Sequence, residues 1–377
     1  MSQQKTLLFV VNKASFFLSH RLLLARGALS QGYRVHVATP MDNDVEKITE
    51  NNFVHHSILM NRSGSNPFQE LRSLYSLYTL YKELKPDLIH HITIKPVLYG
   101  SIAARLAKVP AIVNAIPGLG HVFTETGFVA AIRKKIVIIV YRAALKHKNM
   151  EVIFQNTENY NFFIGKRLVN KTNAVVIKGS GVDVNEYYPE PEPSQGLPLV
   201  ILASRMLYDK GVSQFVDAAR LINSDKMVAR FALIGDSDSG NPNSVPVPVL
   251  TSWHTEGYIE WWGHRDNMPE VIRMSNIVCL PTYYGEGVPK VLIEAAASGR
   301  PIVATDIAGC REIVQNGENG ILVMEKSVPD LVKAIRKLIE NTGLREKMSQ
   351  AGRKLVMECF SSDTVIADTI SVYRDLH

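Results

Sequence analysis

Two glutamates flank a glycine-containing loop in the stretch YYGEGVPKVLIEAAASGRPIVATD, which runs from residue 283 to residue 306. Glu286 lies between two glycines, and Glu294 follows eight residues later in an apolar run. Pro289 is favoured in the first turn of a helix, so a helix is predicted to begin there. The free N–H groups and partial positive charge at a helix start attract phosphate or sugar oxygens. The glycines let the backbone approach such a ligand closely.

The two carboxylates can be interpreted in two ways. As ordinary charges, Glu286 would stabilise the helix dipole and Glu294 would lie on the surface. The run LIEAAASG around Glu294 is nearly all apolar, however, and a carboxylate in so apolar a helix is costly unless it has a partner. Because a carboxylate accepts two hydrogen bonds at once, Glu294 could hold two ribose hydroxyls. The pattern therefore favours a ligand site.

Two basic residues, Arg205 and Lys210, follow a predicted strand in the segment ASRMLYDKG. A guanidinium and an ammonium at this spacing across a turn can straddle a diphosphate, because the guanidinium gives forked hydrogen bonds and the ammonium adds a point charge. Two solvated basic residues on a loop are the alternative interpretation.

A further candidate lies in the first half of the chain, in the segment NAIPGLGHVF. His121 follows a glycine-containing loop, where an imidazole can hydrogen-bond a ligand or tune a nearby carboxylate. On its own, the pattern favours a structural loop histidine.

The segment GDSDSG resembles a metal-binding pattern. Asp236 and Asp238 mimic the D-x-D motif that holds a hard cation and a diphosphate in another class of enzymes. Since Arg205 and Lys210 already offer positive charge for a diphosphate, we interpret the two aspartates as turn formers and predict no metal site.

Length and composition restrict the class of protein. The 377 residues favour two domains, and the formal net charge of +6 suits anionic partners such as nucleotides, nucleic acid or an acidic membrane face. The three cysteines lack C-x-x-C spacing, which argues against a disulfide framework or a cysteine zinc site. The start of the chain is typical of a first strand rather than a signal peptide, and no uncharged apolar run approaches the roughly 18 residues that span a bilayer.

Short apolar runs alternate with helical patterns along the whole chain. Strands are predicted at 6–11, 33–39, 110–116 and 152–156, and again at 199–204, 229–235, 259–263, 277–281 and 301–306. Such alternation is typical of parallel sheets with helices on both faces. The proline-rich segment 185–198 separates the two series and is predicted to link two αβα domains. Ligands of such sheets bind at the carboxyl ends of the strands. The candidate loops described above follow strands and are therefore expected to lie near a ligand.

A basic helical segment at residues 127–148 has two interpretations. Lys135, Arg142 and Lys146 fall on one helix face, and apolar residues occupy most of the rest. Helices that lie on anionic membranes have this composition. A buried helix with a solvated basic edge is the equal alternative.

Several segments together, in this order, resemble the retaining glycosyltransferases of family 4. They are SRMLYDKG, EGVPKVLIEA, ATDIAGCREIV and NGENGILV in the second half, with HRLLLARGALSQGYRVHVAT, NAIPGLGHVFT, VIFQNTENYNFFI and GSGVDVNEYYP in the first. The resemblance covers essentially the whole chain. It implies the α/β GT-B fold: two Rossmann-like αβα domains that face each other across a cleft. The expected domains are an acceptor-binding domain at 1–190, a nucleotide-sugar-binding domain at 191–362, and a terminal helix at 363–377 that crosses back to the first domain.

The resemblance also implies roles for particular residues. Arg205 and Lys210 match the pair that neutralises the donor's diphosphate, Glu286 matches the contact to the donor sugar near the reaction centre, and Glu294 matches the ribose anchor. His121 matches a histidine against the donor sugar and completes the expected catalytic set. The remaining donor-binding positions, which act mainly through the backbone, are Val288, Pro289, Lys290, Gly287 and Gly235. The acceptor-side loop, 12–19, lacks the paired glycines common in the family.

The subgroup that the chain resembles acts on polyprenyl-diphosphate-linked glycans of bacterial surface polysaccharides and glycoproteins. This implies transfer from a UDP-sugar, expected to be an N-acetylhexosamine, to such an acceptor. No cofactor, no metal and no nucleic acid partner are expected. The expected location is the inner face of the plasma membrane, as a peripheral protein.

Other classes fit less well. A nucleotide-sugar epimerase of the same fold, which needs no lipid acceptor, is the nearest alternative. A dinucleotide-dependent oxidoreductase is disfavoured because no G-x-G-x-x-G follows the first strand. Retention of Arg205, Lys210, Glu286 and Glu294 argues against a degenerate, non-catalytic member, and the basic residues are not interleaved with aromatic ones as in nucleic-acid binders.

Overall fold

The computed structural model describes residues 4–60, 66–118 and 127–376. The chain divides into two compact units, one formed by Met1–Gly181 with Ser362–His377 and the other by Val182–Ser361. Each unit is an α/β structure with its own parallel sheet, so the fold predicted from the alternating pattern is confirmed. No helix in these described ranges is long and apolar enough to cross a membrane.

A seven-stranded parallel sheet organises the first unit, with the strand order β3-β2-β1-β4-β5-β6-β7. Its central strands are buried along nearly their whole length, as expected when helices cover both faces. The strands are β1 (Thr6–Val11), β2 (Arg34–Thr39), β3 (Val54–Ser57), β4 (Leu88–Ile92), β5 (Ala111–Ile116), β6 (Met150–Phe154) and β7 (Ala174–Val176).

Helices connect these strands. Those described in the first part of the unit are α1 (Ala14–His20), α2 (Leu22–Ser30), α3 (Val45–Thr49), α4 (Pro67–Leu84), α5 (Ser101–Ala107), α6 (Phe128–Ala144) and α7 (Thr157–Gly165). The segment 12–19, predicted to be an acceptor-side loop, is therefore mostly the helix α1. The chain turns into α1 directly after β1, because Lys13 is extended and the helix begins at the next residue.

A six-stranded parallel sheet organises the second unit, with the order β10-β9-β8-β11-β12-β13. Its strands are β8 (Leu199–Ala203), β9 (Arg230–Ile234), β10 (Glu260–Trp261), β11 (Ile277–Leu280), β12 (Ile302–Thr305) and β13 (Gly320–Val323). The helices are α8 (Val212–Ile222), α9 (Val247–Thr255), α10 (Met268–Met274), α11 (Lys290–Ala297), α12 (Ala308–Arg311), α13 (Val328–Glu340) and α14 (Thr342–Cys359). The order reverses between β8 and β11, which makes their carboxyl ends the topological switch point.

The last helix, α15 (Ser362–Asp375), belongs to the first unit, as the resemblance implied. It packs against α2, where Ile366 lies so close to Gly27 that an added Cβ would be 2.6 Å from its side chain. The Tyr373 hydroxyl lies 2.5 Å from Nδ1 of the buried His90 on β4. The helix therefore completes the core of the first unit.

The proline-rich segment 185–198 packs on the second unit instead of linking the two. The division between the units falls at residues 181 and 182, before the expected boundary at 190. Two arginines of α14 hold the segment: Arg353 donates to the Tyr187 carbonyl at 2.8 Å, and Arg345 pairs with Glu192 at 2.9 Å. Composition alone indicates a linker here, but these contacts order it.

Candidate active site

The basic loop and the Glu286 loop meet at the switch point of the second unit. Arg205 and Lys210 follow β8, and Glu286 follows β11, its neighbour in the sheet. Adjacent parallel strands have their carboxyl ends at the same end of the sheet. Both loops therefore lie at that end.

A glycine allows the two loops to touch. Gly211 ends the short 3-10 turn Tyr208–Lys210 with a φ of 76°. A Cβ at this position would overlap the carbonyl oxygen of Pro281, directly after β11. Both the left-handed backbone and the close approach therefore require glycine. This contact carries Lys210 to the Glu286 loop.

Lys210 and Glu286 form an ion pair in which Lys210 Nζ donates to Glu286 Oε1. Both side chains are largely buried, and the Thr282 hydroxyl lies 3.3 Å from the same carboxylate oxygen. The Lys210 ammonium also lies 5.2 Å from the centre of the Tyr284 ring. A buried ammonium that touches a carboxylate and an aromatic face is held in a fixed place.

Cys310 is buried close to this pair. Burial, followed by the charge of Glu286, raises the pKa of its thiol well above the usual value. The thiol is therefore neutral near pH 7, and a neutral thiol is a poor nucleophile.

Arg205 pairs with Asp238, a residue that the sequence predicts only as a turn former. Arg205 Nη1 donates to Asp238 Oδ2 at 2.7 Å. Asp236 accepts the backbone N–H of His264 at 3.0 Å. Gly235, with a φ of 131°, lies where a Cβ would overlap the carbonyl oxygen of Ser204 and so lets the two loops adjoin. Within the ranges that the structure describes, no group of three or more His, Cys, Asp or Glu residues could hold a metal ion.

The helix after the Glu286 loop is α11. It begins at Lys290, one residue after the predicted start, and Pro289 precedes it as an extended cap. Proline suits this position because it has no N–H to leave unpaired. Gly309 of α12 packs directly on the loop, since a Cβ there would overlap the carbonyl oxygen of Gly287. Val288 is buried beside this contact.

Glu294 is buried on α11, with 7% of its surface exposed. The alternative of a surface residue is therefore wrong. The groups beside its carboxylate are protein side chains, so the contact with ribose hydroxyls stays a prediction. Lys290 Nζ lies 3.0 Å from Glu294 Oε1, one helical turn away. Tyr187 lies beside the same carboxylate, and burial, followed by the charge of Glu294, raises the pKa of the Tyr187 hydroxyl. Tyr187 was not predicted, because nothing in its sequence neighbourhood points to a residue so distant along the chain.

The predicted residues thus fall into three clusters of the second unit: Lys210 with Glu286, Arg205 with Asp238, and Glu294 with Lys290 and Tyr187. His121 lies outside the described residues.

Two family models match the chain. "Glycosyl transferase 4-like" matches residues 6–156, in the first unit, and "Glycosyl transferases group 1" matches residues 183–355, in the second. The chain belongs to the GT-B glycosyltransferases.

Similar proteins agree with this family. The chain is 28% identical, over 89% of its length and 91% of the relative, to the N,N'-diacetylbacillosaminyl-diphospho-undecaprenol alpha-1,3-N-acetylgalactosaminyltransferase of Campylobacter jejuni. It is 24% identical, over 76% of its length and 75% of the relative, to the UDP-Gal:alpha-D-GlcNAc-diphosphoundecaprenol alpha-1,3-galactosyltransferase of Escherichia coli. Anabaena HepE in complex with UDP and glucose has the same fold, with a TM-score of 0.77 and 20% identity over 98% of this chain and 100% of that one.

The contact between Gly309 and Gly287 can be tested by Gly309→Ala. Alanine favours helices, so propensity alone would stabilise α12. The overlap with the Gly287 carbonyl should dominate and lower the free energy of unfolding by about 1–3 kcal/mol. Gly343→Ala in α14 is the matched control, because the nearest atom to its Cβ would be 3.7 Å away. Chemical denaturation measures both variants, and a Gly309→Ala protein as stable as Gly343→Ala would contradict the contact.

Proposed function

We propose that this glycosyltransferase transfers a sugar, with retention of configuration, from a UDP-sugar to a glycan linked to a polyprenyl diphosphate. The observation that carries the proposal is the junction of Lys210, Glu286 and the α11 start at the switch point of the second unit. The names of the relatives from Campylobacter jejuni and Escherichia coli support a diphospho-undecaprenol-linked acceptor. Both relatives are transferases, which favours transfer over epimerisation.

The charged residues have complementary tasks in this reaction. Arg205 and Lys210 neutralise the diphosphate of the donor and stabilise the leaving nucleotide as the glycosidic bond breaks. Glu294 accepts hydrogen bonds from the ribose hydroxyls, and Tyr187 and Lys290 fix its carboxylate. Glu286 holds hydroxyls of the donor sugar. When the diphosphate binds Lys210, the carboxylate of Glu286 becomes available to the sugar.

Retention follows from attack on the face that the nucleotide leaves. A covalent route needs a carboxylate on the opposite face of the sugar. We assign Glu286 to hydroxyls of the donor sugar instead of that face, and the neutral Cys310 is a poor nucleophile. In the same-face route, the bond between the anomeric carbon and the phosphate oxygen breaks while the acceptor oxygen bonds to that carbon. The acceptor's proton passes to the departing phosphate, and the enzyme positions the two reactants.

No metal is needed in this scheme. Arg205 and Lys210 supply the positive charge, and Asp238 and Asp236 already accept hydrogen bonds from Arg205 and from His264. Transfer should therefore persist in excess EDTA, and its loss, restored by added Mn²⁺ or Mg²⁺, would contradict the scheme.

The role of Glu286 is tested by Glu286→Ala in a transfer assay with a panel of UDP- and GDP-sugars and diphospho-undecaprenol-linked acceptors. We expect kcat to fall by at least about 100-fold, the loss typical of removing one group that stabilises the transition state. Glu340→Ala, at an exposed position at the end of α13, is the control. Near-normal turnover of Glu286→Ala with the preferred donor would overturn this active site.

The exposed face of α6 supports attachment to the membrane. Ile132, Ile136 and Ile139 are 45%, 56% and 62% exposed, and the exposed bases Lys135 and Arg142 alternate with them. These positions recur every three or four residues and so share one helix face. Exposed isoleucines beside bases suit the boundary between acyl chains and anionic headgroups. We propose that this face holds the enzyme on the inner leaflet, where a polyprenyl-diphosphate acceptor is found.

Vesicle binding tests this attachment. The double variant Ile136→Ser with Ile139→Ser should bind vesicles containing anionic lipid at least about tenfold more weakly, because two exposed apolar side chains no longer insert. Leu221→Ser, at a 51% exposed position of the second unit, is the control. Co-sedimentation with anionic and with neutral vesicles measures both. Equal binding of the double variant and the wild type would exclude α6 as the contact.

A further inference from the structure

A second loop is built directly on the loop that carries Arg205. We call residues 236–245 the Asp238 loop. Met206 donates to the Asp236 carbonyl at 3.0 Å, Tyr208 donates to the Asn243 carbonyl at 2.9 Å, and Val245 donates back to the Met206 carbonyl at 2.8 Å. These backbone hydrogen bonds pair the two loops as short strands are paired. The position of one loop therefore fixes the position of the other.

Asp238 is held firmly within its loop. Its backbone N–H donates to the Ser244 hydroxyl at 2.8 Å, and its carbonyl accepts the N–H of Asn241 at 2.8 Å. The Ser244 hydroxyl in turn lies 3.0 Å from that of Ser237. The side chain of Asp238 is 17% exposed. Its carboxylate is therefore a rigid acceptor, because the backbone on which it stands has little freedom.

Arg205 uses only part of its hydrogen-bonding capacity on this acceptor. Nη1 donates to Asp238, while the side chain as a whole is 44% exposed. A guanidinium has five N–H donors in a planar fork, so Nε and Nη2 retain donors for a second, anionic partner. A long side chain that is half exposed loses much rotamer freedom when it binds a ligand, unless something already fixes it.

We propose that Asp238 is a positioning residue: it holds the Arg205 guanidinium so that its remaining N–H groups face the diphosphate of the donor. The inference rests on the proposed function of Arg205 and adds a residue to it. Because Arg205 is fixed before the donor arrives, binding costs less conformational entropy.

A simple counter-ion would behave in the opposite way. A carboxylate beside Arg205 weakens its positive field, so neutralising Asp238 would then strengthen the binding of an anion. The two roles are separated by substituting asparagine, which keeps an acceptor oxygen without the charge, and alanine, which removes both.

Calorimetric binding of UDP to the full chain tests the proposal. Asp238→Ala should weaken binding by about tenfold, since Arg205 loses its anchor. Asp238→Asn should bind UDP within about threefold of the wild type, because the amide oxygen still accepts from Nη1. Asp225→Asn removes the same charge at an exposed site before β9 and should bind as the wild type does. Tighter binding by both Asp238 variants, wild-type binding by Asp238→Ala, or an equal loss in both would overturn the proposal.

A double-mutant cycle separates positioning from folding of the loop. In an Arg205→Ala background, Asp238→Ala should have no further effect on UDP binding, because the group through which it acts is gone. A further loss would mean that Asp238 only maintains the loop, and would overturn the proposal. The transfer assay should separate the alanine and asparagine variants in the same way as UDP binding does. We expect kcat/KM for the donor to be reduced in Asp238→Ala and largely restored in Asp238→Asn.

Failure of the proposed function has a different signature. A wild-type protein that binds neither UDP nor GDP would contradict the donor site itself. A wild type that binds a nucleotide, with Asp238→Ala equally tight, would leave the donor site standing and remove only the role of Asp238.

Discussion

The ion pair between Lys210 and Glu286 is the contact on which the site depends. It joins the loops after β8 and β11, the two strands between which the sheet order reverses. A largely buried charge is stable only with a partner. If either residue moved away, the other would be left as a buried, unpaired charge. The pair thus fixes both loops at once. In the proposed function, it also keeps the ammonium beside the diphosphate of the donor.

Three glycines make that arrangement sterically possible, each by a different close approach. Gly211 brings the basic loop to Pro281, Gly235 brings β9 to Ser204, and Gly309 brings α12 to the carbonyl of Gly287. In each case a side chain would overlap a backbone oxygen, which cannot move as a flexible side chain can. The site is consequently shaped by backbone contacts, and its charged side chains occupy the space that remains.

Much of the fold could be predicted from the sequence, but the pairing of the site residues with one another could not. Apolar runs predict β1 at its observed bounds and β8 within one residue, because buried parallel strands are continuously apolar. The apolar surroundings of Glu294 correctly indicate that it is buried. That Tyr187 lies beside it depends on how a segment of linker-like composition packs, and so does the domain boundary. Likewise, the sequence predicts Asp238 only as a turn residue. Its contact with Arg205 depends on how the two loops pair in the fold. Local patterns predict elements; contacts between distant residues need the fold.

The clusters around the proposed donor site share one electrostatic feature: each of their cations is already paired with a carboxylate. Lys210 has Glu286, Arg205 has Asp238, and Lys290 has Glu294. A dense group of unpaired cations in one cleft would repel itself, and this pairing avoids that cost. The consequence for binding differs between pairs. Lys210 is nearly buried and must share or exchange its partner, whereas the half-exposed Arg205 can keep Asp238 and add a second acceptor. In the proposed function, a diphosphate would therefore meet one cation that must be released and another that is already held in place.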